Sequence, residues 1–464
     1  MHQELSRRQM ILMMATLLLG SFITTLAETL MNNGIPMIMK ETHVSQMDAQ
    51  WLNTGYMLVS GMVMPLASFL LHRFSLRGLF TSTMGIFLVG SVVAATAPHF
   101  GLLLIGRLIQ AIAVGVNMPL VMNVLTIIIP PANRGLAIGI AGIIINLGPA
   151  IGPTLSGVIL EFYSWRMLFI ILIPLTVITI ICTQWWVKNV VQPAHVAIDY
   201  LSAILSIIGL GSLLYSLGRC GMSGQNPWLT LLFALIGSAL LVVFAKRQLT
   251  IKTPLLNLQV FQYQQYRLGL AITLLASAAI MAPELMLPLF NQNILKVSPI
   301  ISGAVMIPSS LAMALLSPLA GRLYDNFGIK KIALFGGWVG LLAALPMMGY
   351  STQTSIATIT IFYAFRCAGL TLSYTPANVY ALNALPQRDV VSGNTIITTL
   401  LQVANSFGTA LAASTQSIVT HYSISNGMSN TLAEIKGYQW SFGTTVLISL
   451  IALVLTYRIK AKQS

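Results

Sequence analysis

The chain has 464 residues, of which 56% are hydrophobic and only 7% carry a charge. Soluble domains usually contain about a quarter charged residues, so this composition excludes an ordinary soluble globular protein. The net charge of +14 would suit a nucleic-acid partner, but the basic residues lie at the ends of apolar stretches and do not form one basic face. We therefore predict an all-α integral membrane protein that binds no nucleic acid.

Apolar stretches recur along the chain, and each is long enough to cross a hydrocarbon core of about 30 Å as a helix. The sequence predicts fourteen such helices, called helix one to helix fourteen in this section. They lie at 9–32, 50–71, 78–97, 100–122, 134–160, 165–187, 200–217, 227–245, 268–292, 299–323, 330–350, 353–380, 392–420 and 438–458.

The basic residues predict how these helices are oriented. With both termini in the cytoplasm, seventeen of the 24 Lys and Arg residues lie inside, five lie outside, and Arg107 and Arg366 lie within the membrane. Cytoplasmic loops of membrane proteins carry an excess of basic residues. We therefore predict a multi-pass protein with both termini in the cytoplasm.

The chain matches itself at an offset of 253 residues, where Pro-Leu-Ala-Ser at 65–68 corresponds to Pro-Leu-Ala-Gly at 318–321. A repeated half is typical of transporters, whose substrates bind near the membrane midplane where the halves meet. We predict an N-terminal six-helix bundle at 1–190, an inserted two-helix pair at 191–250 and a C-terminal six-helix bundle at 251–464.

The source of energy follows from what the sequence lacks. No predicted loop exceeds about twenty residues, and no Walker-type glycine loop is present, so we expect an ion gradient to drive transport. The cysteines Cys182, Cys220 and Cys367 lie far apart, so we predict no metal, cofactor or disulfide framework. A membrane receptor, scaffold or intramembrane enzyme would require a large loop domain or a cluster of His and Asp, and the sequence has neither.

Short motifs spread along the chain narrow the class further. They are Gln50-Trp51 with Tyr56, Arg107 with Gln110, the Gly-Pro pairs of 148–153 with Gly157, Ser164-Trp165-Arg166, Asp199-Tyr200, and Thr253-Pro254-Leu255-Leu256. Through them nearly the whole chain resembles the fourteen-helix drug/proton antiporters of the major facilitator superfamily. The resemblance implies a major facilitator fold with two six-helix bundles and two inserted helices, acting as a monomer in a bacterial cytoplasmic membrane.

Two acidic residues lie inside predicted membrane helices, Glu28 in helix one and Glu284 in helix nine. A charge at the bilayer centre costs about 2.5–3.5 kcal/mol on insertion scales, so such residues are functional candidates. We predict that each carries protons or binds a cationic substrate. The alternative for both is a neutral carboxyl group with a structural role only.

Helix one contains a stretch at 27–36 that is similar to the family motif Asp-x-Thr-x-x-Asn-x-Ala-x-Pro. Thr29, Asn32 and Pro36 match it, but the motif's aspartate falls on Ala27, one position and about 100° around the helix from Glu28. The resemblance therefore implies that Asn32 contributes to the substrate site and that Glu28 substitutes for the aspartate.

The resemblance assigns proton transfer to Arg107, together with Gln110. A guanidinium near Glu28 would favour its carboxylate form, and protonation of Glu28 would release that pairing. For Arg366, at a comparable place in helix twelve, we predict structural pairing. The other predicted substrate-binding residues are the polar side chains Asn33, Asn117, Tyr374 and Asn378.

Two glycine-rich motifs are predicted to control movement of the halves. In helix five, Gly148-Pro149 and Gly152-Pro153 lie on one face, where they permit close packing and bending. With Gly157 they form what the resemblance identifies as the antiporter motif. An ordinary kinked helix packed through small residues is the alternative interpretation.

The second motif is the loop at 321–331, which resembles the superfamily's cytoplasmic latch through Gly321, Asp325, Gly328 and Lys330. The corresponding loop of the first half keeps its cations Arg73 and Arg77 but lacks the glycines and the acid. We expect these residues to hold one conformation closed.

These features predict a proton-coupled antiporter that exports hydrophobic, often cationic, drugs by alternating access. Its partners would be those drugs, protons and membrane lipids. The alternative is an exporter or flippase of the same fold that carries an endogenous lipid-linked metabolite, peptide or toxin.

Overall fold

The structure is a computed structural model, and it describes residues 6–31, 33–44, 46–128, 148, 151–152, 154–190, 199–219, 226–251, 254–386 and 389–459. Within these ranges the chain forms helices and connecting turns and no β-strand. Lipid offers no hydrogen-bond partners to a backbone, so a helix that satisfies its own amides is the expected element for so apolar a chain.

Sixteen α-helices are numbered here in chain order. They are α1 (Arg7–Leu30), α2 (Ile35–Thr42), α3 (Gln46–Arg73), α4 (Leu76–Ala95), α5 (Phe100–Ile128), α6 (Met167–Ile170), α7 (Leu172–Trp186), α8 (Tyr200–Arg219), α9 (Pro227–Thr250), α10 (Gln264–Asn293), α11 (Pro299–Ala304), α12 (Ile307–Phe327), α13 (Ile329–Ala344), α14 (Ile356–Asn383), α15 (Val390–Ser425) and α16 (Asn430–Tyr457). Residues 154–162 are also helical.

The part of the chain described by the structure contains twelve helices that are long and apolar enough to cross a membrane. Each coincides with one of the fourteen predicted helices, which confirms an all-helical membrane fold. The predicted span at 50–71 coincides with α3, whose 28 residues extend about 42 Å. The predicted span at 134–160 lies largely outside the described residues. The count of fourteen therefore stays a prediction.

The long helices pack in two groups. In the first group α5 contacts α1, α3 and α4, and α7 contacts α1 and α4. In the second group α10 contacts α14, α15 and α16, while α14 also contacts α12 and α13. Helices α3 and α15 contact each other and so join the two groups. The predicted domain boundaries at 190 and 250 stay predictions.

Helices α8 and α9 pack against each other, and α8 also contacts α3 and α15. An ion pair fixes their first and last turns, since Arg247 Nε and NH2 each donate to the Asp199 carboxylate at 2.9 Å. Arg247 holds the pKa of Asp199 at about 2, so this carboxylate stays ionised at neutral pH. Gln248 extends the contact by donating to Ser202 at 2.7 Å and accepting from the amide of Leu256 at 3.1 Å.

Glycines set the closest helix contacts in both groups. A Cβ added to Gly369 of α14 would lie 2.3 Å from the amide nitrogen of Gly340 in α13. The equivalent contact in the first group joins α4 and α5, where a Cβ on Gly106 would lie 2.7 Å from the amide nitrogen of Ala94. Lipid gives helices no hydrophobic reason to associate, so close approach through small residues supplies the packing energy within each group.

Replacing Gly369 with Val should therefore separate α13 from α14 and lower the free energy of unfolding by about 1–3 kcal/mol. The matched control is Gly85→Val in α4, where an added Cβ meets no atom within 4 Å. Thermal unfolding of both purified variants in detergent tests the expectation. Equal midpoints for the two variants would contradict it.

Candidate functional site

A cavity of about 230 Å³ lies where the two helix groups face each other. Glu28 and Glu284 line it from opposite groups, with the amides Asn53, Gln402 and Asn405. Its other lining residues are hydroxyl-bearing and apolar side chains, including Met57, Met64, Met118, Met281 and Met313. No Lys or Arg belongs to the lining that the structure describes. The chamber therefore combines two carboxyl groups with flexible thioethers and neutral hydrogen-bonding groups.

Glu28 owes its position to the face of α1 on which it lies. Its neighbours Thr25 and Thr29 line the same cavity, whereas Ala27 is only 1% exposed and lies in the core of the first group. The one-position displacement of the acid thus moves it from the position facing the bundle interior to the cavity face. The carbonyl oxygen of Ala27 accepts a hydrogen bond from Arg107 at 3.1 Å.

Arg107 is completely buried and holds three helices together. It donates to the carbonyl oxygens of Leu52 in α3 and Ala27 in α1 and to the side chain of Gln110, at 3.4, 3.1 and 3.0 Å. Its guanidinium carbon lies 4.0 Å from the ring centroid of Tyr56. The expected direct pairing with Glu28 does not appear among the ion pairs within 4.0 Å of the described residues, and the second amino group of Arg107, NH2, has no hydrogen-bond partner there.

Arg366 is the counterpart of Arg107 in the second group. It is also completely buried, and it donates to the carbonyl oxygen of Ala279 in α10. Each arginine thus projects from the fourth long helix of its group onto the backbone of the first. Arg107 contacts the carbonyl oxygen of Ala27, next to Glu28, and Arg366 contacts that of Ala279, five residues before Glu284. This contact agrees with a pairing role for Arg366, which stays a prediction.

The other predicted substrate-binding residues divide into two sets. Tyr374 lines the cavity. Asn117 instead donates to the Thr24 hydroxyl at 3.4 Å, and Asn33 donates to the Ser156 hydroxyl at 3.1 Å. Asn378 is half-buried next to Tyr374 and is not part of the lining, and Asn32 lies outside the described residues.

Two of the three described glycines of the predicted antiporter motif, Gly148 and Gly152, lie against α1. A Cβ on Gly148 or on Gly152 would lie 2.3 or 2.1 Å from the hydroxyl of Thr25 or Thr29. Gly157 lies against the other helix group, where its Cβ would be 2.7 Å from the carbonyl oxygen of Pro299. Pro149 and Pro153 lie outside the described residues.

The predicted latch differs from a simple loop, because α12 continues through Gly321 and ends at Phe327. The break is at Gly328, whose φ of 75° favours glycine and whose amide donates to Tyr324 O at 2.9 Å. The backbone of Asp325 lies in the last turn of α12, its side chain lies outside the description, and Lys330 is half-buried.

In the corresponding part of the first group, Arg73 is exposed at the end of α3. Arg77 donates from Nε to the carbonyl oxygen of Val187, immediately after α7, at 2.8 Å. One of the two predicted cations therefore contacts a helix end.

Sequence reasoning missed one wall of the cavity. Thr398, Gln402, Asn405 and Thr409 of α15 all line it. They recur at spacings of four, three and four residues, which places polar groups on one face of an otherwise apolar helix. That periodicity is the feature that could have found them.

Comparisons with known proteins agree with this architecture. The profile described as Major Facilitator Superfamily matches residues 17–409. The uncharacterized MFS-type transporter YcnB of Bacillus subtilis (strain 168) is 35% identical over 448 residues, which cover 96% of this chain and 94% of that protein. Lincomycin resistance protein LmrB of the same strain is 33% identical over 450 residues, covering 95% and 94%. The crystal structure of the human organic anion transporter MFSD10 (TETRAN) has a similar fold, with a TM-score of 0.63 at 16% identity over 96% of this chain and 99% of that one.

Replacing Arg107 with Lys should lower transport by about tenfold or more, because one ammonium group cannot replace a guanidinium fork that bonds several acceptors. The control is Arg8→Lys, at an exposed position near the start of α1. Substrate flux is measured in membrane vesicles with equal amounts of each protein. Wild-type flux in Arg107→Lys would show that the positive charge alone is sufficient there.

Proposed function

Because the chain belongs to the Major Facilitator Superfamily, we propose that it exports hydrophobic, often cationic, drugs in exchange for protons. Members of this family are transporters, so the chain is a multi-pass membrane transporter and not an enzyme. The drug cargo is supported by its relative LmrB, which is named for lincomycin resistance. We place it in a bacterial cytoplasmic membrane as a monomer among membrane lipids.

The observation that carries the proposal is the pair of carboxyl groups in the central cavity. Glu284 is only 5% exposed and Glu28 is half-buried, and both line a chamber whose described lining contains no basic residue. A carboxyl group in such a place is neutral when protonated and attracts a cation when ionised. In this chamber a proton and a cationic drug therefore compete for the same carboxyl group.

The cavity supports alternating access. Its volume of about 230 Å³ is below the roughly 300–1,000 Å³ of clefts that hold drug-sized ligands, so binding requires the halves to separate. At the end of the bundle that carries α2, the halves meet where the Thr154 hydroxyl donates to Gly303 O at 3.4 Å. In the proposed orientation, with both termini in the cytoplasm, this end faces outward, so the contact closes the cavity on the outside.

In the proposed cycle a cationic drug moves outward while a proton moves inward. Ionised Glu28 or Glu284 attracts the drug from the cytoplasm or inner leaflet, and the halves then close inside and open outside. A proton from outside neutralises the carboxylate and releases the drug, and the protonated protein returns and loses that proton inside. One working acid exchanges one proton for one monovalent cation, whereas two working acids make the exchange electrogenic.

At least one of the variants Glu28→Gln and Glu284→Gln should lower uptake of an ethidium-like dye into inverted vesicles under a pH gradient by about tenfold or more, and both should do so if both acids work. A glutamine amide keeps the size of the side chain but neither binds a proton nor attracts a cation. The matched control is Glu161→Gln, since Glu161 is an exposed carboxylate outside the cavity. Collapse of the gradient should lower wild-type uptake to the level of the variants.

Unchanged uptake in both cavity variants would contradict the proposed role of the carboxyl groups. Wild-type uptake that ignores the pH gradient would contradict proton coupling. Wild-type protein that moves no dye in either condition would contradict drug export.

A further inference from the structure

We propose that Gln402 is a positioning residue that locks the empty transporter by joining the two halves at ionised Glu28, and that a proton or a cationic drug on Glu28 releases the lock. This inference rests on the proposed function, because it specifies how exchange is kept strict. An antiporter must change conformation when it carries a drug or a proton and must stay in place when it carries neither.

The geometry joins three helices from both halves. Gln402 of α15 is 6% exposed, and its Nε2 donates to the Ser60 hydroxyl of α3 at 2.9 Å. The carboxyl group of Glu28 in α1 also lies within reach of this side chain. One amide NH2 group has two hydrogens, so Nε2 is able to donate to Ser60 and to Glu28. Glu28 and Gln402 both line the cavity, so a bound drug reaches this contact directly.

The backbone around the amide leaves little room for another arrangement. A Cβ added to Gly61, which follows Ser60, would lie 3.4 Å from Gln402 Cγ and 3.0 Å from Leu214 Cδ1 of α8. The glycine thus lets α15 and the inserted pair approach α3 at this level. Gln402 is held against the first half, with its amide directed at Ser60.

The strength of this contact depends on what Glu28 carries. A hydrogen bond to an ionised carboxylate is about twice as strong as one between neutral groups. Protonation removes that charge, and a cationic drug competes with the amide for the same oxygens. The contact between the halves is therefore strongest when Glu28 is ionised and has no drug bound. In that state a strict antiporter must not change between its inward-facing and outward-facing conformations.

The other charged and titratable groups near Glu28 are Tyr56 of α3, Arg107 of α5 and Glu284 of α10. The Tyr56 hydroxyl donates to Thr24 O at 3.3 Å, and Arg107 is held by backbone carbonyls of its own half. Glu284 is an acid and cannot replace an amide donor when ionised. None of these three groups is a donor from the second half, so Gln402 has no competitor from that side among the described residues near Glu28.

Gln416 offers a matched control, because it is a glutamine on the same helix α15. It is not among the residues that line the cavity, and its Nε2 donates to the Thr420 hydroxyl of its own helix at 3.5 Å. Gln416→Leu therefore removes the same amide group without removing a contact between the halves or a polar group of the cavity.

The experiment measures proton movement through the full-length protein in proteoliposomes that contain a trapped pH-sensitive dye and no drug. A strict antiporter carries no protons under a pH gradient when its drug is absent. Gln402→Leu should raise this drug-free proton flux by about tenfold or more over wild type, the factor expected from losing a hydrogen bond to a charged group. Gln416→Leu should leave the flux at the wild-type level.

A damaged protein could leak protons without any cycle, so the double variant Glu28→Gln, Gln402→Leu decides the cause. Loss of the leak in the double variant supports the lock, because the protons then travelled on Glu28. A leak that persists in the double variant, or no leak in Gln402→Leu, overturns it. Drug-dependent proton exchange by the wild type is measured in the same vesicles, so failure of the proposed function is seen separately.

Discussion

The constraint on which the structure depends is the cost of placing charge in hydrocarbon, about 2.5–3.5 kcal/mol for one residue at the bilayer centre on insertion scales. The buried charges meet it in two ways. Arg107 and Arg366 donate to backbone carbonyls of neighbouring helices and so become part of the packing of each half. Among the described residues no ion pair involves Glu28 or Glu284, and both lie at a cavity instead. The arginines therefore join helices within each half, and we propose that the acids remain available for exchange.

The sequence predicted the helices well, because a long apolar run has few other structures available in a membrane. It predicted their ends less well where a helix leaves the lipid. Helix α16 begins at Asn430, eight residues before the predicted start, because its first two turns are polar and hydropathy detects only the apolar part. The latch motif was predicted as a loop for a related reason, since glycine and charged residues at a helix end resemble a loop. In the structure its residues 321–327 are helical.

Residue types that are rare in membrane helices were the ones from which the site could be predicted. Two acids among apolar runs stand out, and both lie at the cavity. Asparagines are less informative, because the sequence does not say which face of a helix they occupy relative to its neighbours. Asn117 bonds Thr24 within its half and does not line the cavity. Gln402 was missed since its importance lies in a contact between residues 342 positions apart.

The glycine contacts within a half and the Gln402 contact between the halves differ in kind, and this difference suits a rocking movement. Within each half, glycines bring backbones together, and we propose that each half moves as a rigid body. Between the halves, the lock that we propose at Gln402 depends on the charge of one carboxyl group. A hydrogen bond to a charged group contributes about 1.5–3 kcal/mol, and one charge crossing 100 mV gains about 2.3 kcal/mol. Because the two energies are similar, one proton entering down its gradient is sufficient to release a contact of this strength.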